Sequence, residues 1–247
     1  MSDERKQLGI DLGTTNSAVA LGTIRENGEP DIQVLENNNG NLVTPSLVYY
    51  EPDGSIRVGE QAESMEAARP NRVIREIKRK MDKKDYTVEV GDEEYTPEEV
   101  SAEILKKMKS IAESADAASL DDVEELVITV PAYFKERAKK RTQKAADEAG
   151  IDVSFLTPEP VAAARAHGET GSILVYDFGG GTLDISLVEV TQTDDGKSYS
   201  TKDIDGDMEL GGMDFDEALT EHIVADYKQV NGVDIRDDDQ TYAELRS

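Results

Sequence analysis

Leu8-Gly9-Ile10-Asp11-Leu12-Gly13-Thr14-Thr15-Asn16-Ser17 is an apolar run that ends in a carboxylate and breaks at once into a turn of small residues. Val175-Tyr176-Asp177-Phe178-Gly179-Gly180-Gly181-Thr182-Leu183-Asp184 repeats the plan. Each turn is followed by a second strand-like run, Ala18 to Leu21 and Ile185 to Val188. The unit is strand, Asp, turn, strand, and it occurs twice. Consecutive backbone N–H groups in such a turn form an anion-binding nest. Glycine lets a ligand approach where a Cβ would stand. Gly13, Gly179, Gly180 and Gly181 provide that approach, and the hydroxyls of Thr14, Thr15 and Thr182 add donors. Asp11, Asp177 and Asp184 would repel phosphate directly, so they fit a hard cation, and magnesium uses one or two carboxylates beside phosphate oxygens and water. Two such turns face to face would hold a metal-bound polyphosphate from both sides. The bland reading of either carboxylate, a hydrogen-bonded turn cap, suits one turn alone better than a pair with a triple glycine.

Working outward, Ile32 to Leu35 and Leu47 to Tyr50 read as strands around the turn cluster Asn37 to Asn41. Residues 60–81 read as helical, interrupted by Pro70, with a basic stretch from Arg72 to Lys80. That stretch is either a solvated face or the source of a cation that reaches a phosphate. A hairpin turns at Gly91-Asp92. Thr96, Pro97 and Glu99 then form a capping-box helix start, with Val100, Ile104, Met108, Ile111 and Ala115 as its buried stripe. Leu126 to Val130 is a β-branched run closed by Pro131, and a helix over 134–149 ends at Gly150. Ile151 to Leu156 is a further strand, and Pro158-Glu159-Pro160 leads into a helix from Val161 to His167. Asp203 to Asp207 reads as an acidic hairpin turn, because Met208 stands where a calcium loop requires glycine. The next helix is expected to have Asp214 as N-cap and Phe215, Leu219, Ile223 and Tyr227 as its buried stripe; a last helix-like segment runs from Asp239 to Ser247. Strands alternating with helices give an α/β class.

The 247 residues carry 27 basic and 53 acidic side chains, a net charge of −26. Nucleic-acid binding rests on positive charge, so that class is excluded. A surface this acidic suits a salt-rich cytoplasm, where screening shortens to about 3 Å at 1 M salt. No cysteine is present, and His167 and His222 have no metal-ligand spacing. No signal-peptide pattern or membrane-length apolar run occurs, so a cytoplasmic location away from membranes is expected. No Walker loop, dinucleotide fingerprint or nucleophile elbow is present.

The segment Ile10 to Ser17 resembles the first phosphate motif of the seventy-kilodalton heat-shock chaperones of the DnaK type, and Asp177 to Ser186 resembles the second. Ile128-Thr129-Val130-Pro131-Ala132-Tyr133-Phe134 and Leu210-Gly211-Gly212-Met213-Asp214-Phe215-Asp216 are similar to two more segments of that family. The resemblance implies the actin-like, ribonuclease H-like ATPase fold, with two lobes closing on ATP or ADP. It implies a first-lobe core in 1–45 and 97–170 and a small subdomain inserted at 46–96. Residues 171–210 would be the second-lobe core, and 211–247 the start of an incomplete outer subdomain. It implies that Asp11 and Asp177 organise Mg2+ and K+, and that the first turn holds phosphates through Thr14, Thr15 and Asn16. Lys78 would stabilise the attacked γ-phosphate, with Thr182 and Asp184 beside it and the nucleophilic water. Pro131, Lys139 and Glu159 would couple nucleotide state to lobe rotation. The implied partners are a J-domain co-chaperone, a nucleotide-exchange factor and unfolded polypeptide.

Departures from the family pattern are Lys139 for arginine, Pro158 for asparagine, Arg165 for an apolar residue, His167 for tyrosine and Met213 for glutamate. Lysine cannot reproduce the guanidinium fork. The family's adenosine-binding helices and peptide-binding domain have no counterpart here. Two further function classes therefore stand beside the chaperone ATPase. One is a non-enzymatic, weakly nucleotide-binding fragment, and the other is a sugar- or acetate-kinase-type phosphotransferase of the same superfamily.

Overall fold

The computed structural model describes residues 5–24, 30–115, 123–194 and 196–246. Met1 to Glu4 and Ser247 lie outside them. In chain order the first strands are β1 (Arg5–Asp11), β2 (Asn16–Ile24), β3 (Pro30–Val34), β4 (Thr44–Pro45), β5 (Val48–Tyr50) and β6 (Ile56–Val58). A one-turn helix α1 (Glu60–Glu63), β7 (Val73–Ile74) and a hairpin of β8 (Val88–Val90) and β9 (Glu93–Tyr95) follow. Then come α2 (Pro97–Ser114), β10 (Val123–Val130), α3 (Glu136–Glu148), β11 (Phe155–Pro158) and α4 (Glu159–His167). The last part holds β12 (Gly171–Phe178), β13 (Leu183–Thr193), β14 (Gly196–Asp207), α5 (Gly212–Asn231) and α6 (Asp239–Arg246).

The first sheet runs β11-β10-β1-β2-β3, with β4 added to β2. β1 is central: it pairs antiparallel with β2 and parallel with β10. Its side chains alternate between a covered and an open face: Leu8 and Ile10 are buried on one, while Gly9 and Asp11 are exposed on the other. The crossover from the β1–β2 hairpin to β10 includes α2, whose capping box forms as expected: Glu99 N–H donates to Thr96 Oγ1, and Thr96 N–H donates to Glu99. Val100, Ile104, Met108 and Ile111 pack into the principal core with Leu8, Ile10, Val19 and Ile128. Ala115, expected at the end of that stripe, is the exposed C-cap.

The second motif builds a separate three-stranded antiparallel sheet, β12-β13-β14. One face packs on α4 through Ala164, Val188 and Val190. The N-terminus of α4 follows β11 of the first sheet directly, so this helix joins the two halves.

Four expectations are corrected. Residues 60–81 are not a broken helix: beyond α1 they form a 3-10 turn at Pro70–Arg72, strand β7 and a second 3-10 turn at Ile77–Lys80. The β-branched pair Val73-Ile74 joins the edge of β5 instead, and Glu76 in the left-handed region (φ 56°) blocks helix continuation. Asp203 to Asp207 is the end of β14, paired along β13, and the hairpin turns before Gly196. Asp214 is the third residue of α5 rather than its cap; Gly211 is the cap, and its N–H donates to Asp214 at 2.7 Å. Phe215, Leu219, Ile223 and Tyr227 are exposed (60, 59, 38 and 45 %), while Thr220 and Val224 face inward.

Candidate functional site: a cleft between two interlocked turns

Both Asp-ended strands deliver their turns to one cleft of about 550 Å³. Its walls hold Asp11, Gly13, Thr14, Thr15, Asn16, Lys78, Glu159, Asp177, Gly179, Gly180 and Thr182, all expected site residues. The first turn is tight: a Cβ on Gly13 would overlap the backbone carbonyl of Asn16. Gly13 N–H donates to Ser17 Oγ at 3.2 Å, and Ser46 N–H donates to the Thr15 carbonyl at 2.7 Å, which pins the turn from behind. The second turn lies directly against the first. A Cβ on Gly180 would overlap the Thr15 side chain, and one on Gly181 would overlap Thr14. The glycines are therefore needed for the turns to meet as well as to admit a ligand.

Lys78 reaches the cleft from the 3-10 turn and, although buried (8 %), pairs with Glu159 at 2.6 Å. Thr129, across from Asp11 in the parallel register, donates its hydroxyl to Asp11 Oδ1 at 2.7 Å. Thr129 lay within a segment quoted for its family likeness but had no expected role; its register partner was the available signal.

Asp184 does not line the cleft. It is buried behind Thr182, whose hydroxyl lies 3.4 Å from Asp184 Oδ2, while Asp184 Oδ1 has no hydrogen-bond partner. Burial, reinforced by Glu159 and Asp177, pushes its carboxyl up to about 6. Glu159 is also raised: its burial, with the charges of Asp11 and Asp177, outweighs the Lys78 ammonium. Tyr133 is raised by burial and by Asp184. Gly181 sits beneath Thr14 rather than on the wall. Pro131 closes β10 and accepts from Phe134 N–H at 3.1 Å, and Lys139 is half-buried on α3. Neither is among the lining residues of the cleft.

Three carboxylates, Asp11, Glu159 and Asp177, line the cleft, with Asp184 buried behind it, against the buried Lys78. No cluster of three or more carboxylate or histidine ligands suited to a metal occurs among the described residues. The donor set therefore fits a hard cation that takes its remaining ligands from water and phosphate, as magnesium does. No helix among the described residues is long and apolar enough to cross a membrane.

Comparison with known proteins agrees with this geometry. The model of the Hsp70 protein family matches residues 7–90 and 80–247. The chain belongs to the Hsp70 family. Curated relatives of this Hsp70 chain include the chaperone protein DnaK of two strains of Halobacterium salinarum. Each is 42 % identical over 244 residues, covering 97 % of this chain and 37 % of the relative. This Hsp70 chain thus spans a little over a third of the length of the curated relatives it matches. Family membership carries the actin-like ATPase fold, and the mixed α/β sheets around the cleft agree with it.

Proposed function

We propose that this chain carries the phosphate-gripping part of an ATPase that drives a cytoplasmic protein-folding chaperone cycle. One observation carries the reading: two Asp-ended glycine turns interlock around a single cleft into which Lys78 projects. The reaction is attack of water on the γ-phosphate. Such transfer needs positioning and charge stabilisation more than a strong base. Backbone N–H groups of both turns, with Thr14, Thr15, Asn16 and Thr182, hold the phosphate oxygens. Lys78 leaves Glu159 in part to meet the γ-phosphate. Thr182, on the cleft wall, orients the attacking water, Asp184 behind it positions the Thr182 hydroxyl, and the water's proton leaves with the released phosphate. Asp11, steadied by Thr129, and Asp177 hold the hydrated cation from opposite turns. Magnesium held there would supply charge neutralisation for the phosphates, and K+ is a second ion that the same carboxylates would suit. Pro131, Glu159 and Lys139 form the route by which the phosphate state reaches the rest of the molecule. A J-domain co-chaperone, an exchange factor and unfolded polypeptide are the corresponding partners of the cycle.

The roles are tested by γ-phosphate release in molar KCl from this chain and from its Thr182→Ala and Lys78→Ala variants. The expected loss is about 10²-fold or more, the scale of removing a preorganised electrostatic contact. Undiminished turnover in both variants rejects the assignment. A second reading, a non-enzymatic or weakly binding fragment, draws on the apolar face that α5 exposes beside the cleft's second turn. Titrating ATP into the chain by calorimetry separates the two, since tight magnesium-dependent binding excludes the second.

A further inference from the structure

The 3-10 turn Ile77–Lys80 sends two consecutive side chains to different places. Lys78 enters the phosphate cleft, whereas Arg79 crosses to the other half of the molecule. Its Nε donates to the Gly181 carbonyl at 2.7 Å. Its Nη2 and Nη1 donate to the two carboxylate oxygens of Asp214 at 2.6 and 3.4 Å, and Nη1 also meets Glu76 at 2.9 Å. The side chain is only 11 % exposed. Hydrogen bonding to Arg79 holds the Asp214 carboxyl below its ordinary range.

What Arg79 grips is one rigid unit. Gly212 N–H and Met213 N–H donate to the carbonyls of Gly179 and Gly180 at 3.0 and 2.9 Å, so the start of α5 and the second phosphate turn are bonded together. A Cβ on Gly211 would overlap the backbone of Gly180, so the two segments are in direct backbone contact there. Thr15 of the first turn reaches the same seam, its hydroxyl 3.4 Å from the Met213 sulfur. A second ion pair across this seam, Lys83 to Glu209 at 3.4 Å, is 54 and 74 % exposed. Exposed pairs of that kind contribute little. A bidentate guanidinium–carboxylate pair with an added carbonyl bond is the strong contact by comparison.

We propose that Arg79 is the latch that sets the gap between the two phosphate turns. It acts as a positioning residue that fixes the Gly179–Gly181 turn against the first half through Gly181 and Asp214. Because Arg79 and Lys78 share one turn, the element that presents Lys78 to the cleft also fixes the opposite wall. Closure of the cleft and placement of Lys78 are then a single event. The inference concerns the geometry of the cleft walls and holds whichever phosphate ligand enters between them.

The test is a distance measurement without nucleotide. The sequence has no cysteine, so spin labels can be placed uniquely at the exposed positions Glu89 and Ala218, one on each side of the seam. A control pair at Glu89 and Lys140 lies within the first half. The unsubstituted chain should show one dominant interlobe distance. Arg79→Ala should raise the longer-distance population about tenfold relative to the closed one, as expected for loss of charge-assisted bonds. Arg79→Lys and Asp214→Asn, which keep the bulk but lose the fork or its charge, should give intermediate shifts. The control distance should stay fixed. An unchanged interlobe distribution in Arg79→Ala overturns the proposal. If that variant also disturbs the control pair, Asp214→Asn decides: an interlobe distance identical to the unsubstituted chain overturns the latch, and a lengthened one with a fixed control supports it.

Discussion

Asp184 is a carboxyl that folding removes almost wholly from solvent. Its pKa of about 6 stands above the ordinary 3.8 because the group is buried beside Glu159 and Asp177. A carboxyl raised in the folded state binds its proton more tightly there than in the unfolded chain. It therefore favours the fold most below about pH 4, and that contribution is lost as pH rises through about 6. Asp184→Asn should remove this slope, so the two proteins' urea midpoints, measured without divalent cation, should diverge in favour of the variant between pH 4 and 6. Parallel pH profiles would show that Asp184 is not held at a raised value. At this scale the sequence was highly legible. The turn residues and Lys78 could be named from composition, spacing and family likeness. Arg79 could not, because its partners Gly181 and Asp214 lie far along the chain and no local pattern links them.

Elements were legible where local rules and burial agree. Thr96 and Glu99 specify the start of α2 without help from the rest of the fold, and the box forms with both reciprocal bonds. Thr96→Ala should cost about 1 kcal/mol of stability. Equilibrium denaturation would show this as a lower midpoint at unchanged m-value, and a shift below a few tenths would mean that packing alone fixes the helix start. Elements were misread where tertiary context overrides propensity. The apolar residues at 73, 74 and 77 fit a helical spacing, yet Val73 and Ile74 close the edge of β5, and Ile77 enters the principal core from a 3-10 turn. The aspartates of β14 disfavour a strand by propensity, but a long register with β13 supplies the backbone partners. In α5 the periodicity of the apolar stripe was read correctly as one face, but the direction of that face was not. The same spacing is compatible with an inward or outward orientation, and the described fold turns Thr220 and Val224 inward instead.

For the whole molecule the dominant quantity is a net charge of −26 over 247 residues. Acidic side chains cover the surface far more densely than basic ones can pair them. Self-repulsion opposes compaction until salt shortens its range, from about 10 Å at 0.1 M to about 3 Å at 1 M. Raising KCl from 0.1 to 2 M should therefore stabilise the fold, each 1 kcal/mol gained raising the melting temperature by about 2–4 °C for a chain of this size. A melting temperature that stays constant or falls with salt would contradict that account. The buried Arg79–Asp214 and Lys78–Glu159 pairs should persist across this range, because partly buried pairs are screened least. Fold class is readable from the alternation of strands and helices and from the family likeness, and the two-part organisation from the repeated motif. How the halves meet is not, since the seam is made by Arg79, the glycine contacts and α4, none of which announces its partner.

The central place of β1 also sets a timetable. Its antiparallel edge is completed by β2, which follows immediately, but its parallel edge waits for β10, with Asp11 opposite Thr129. At about 5–20 residues per second of synthesis, the strand bearing the first phosphate turn is left one-sided for several seconds to some tens of seconds. Pairings of such long sequence separation are also slow to form once both partners exist. Throughout that interval a strand bearing Leu8 and Ile10 presents an open hydrogen-bonding edge. A chain from a family of folding assistants is thus itself exposed to misassembly at the strand on which its cleft depends.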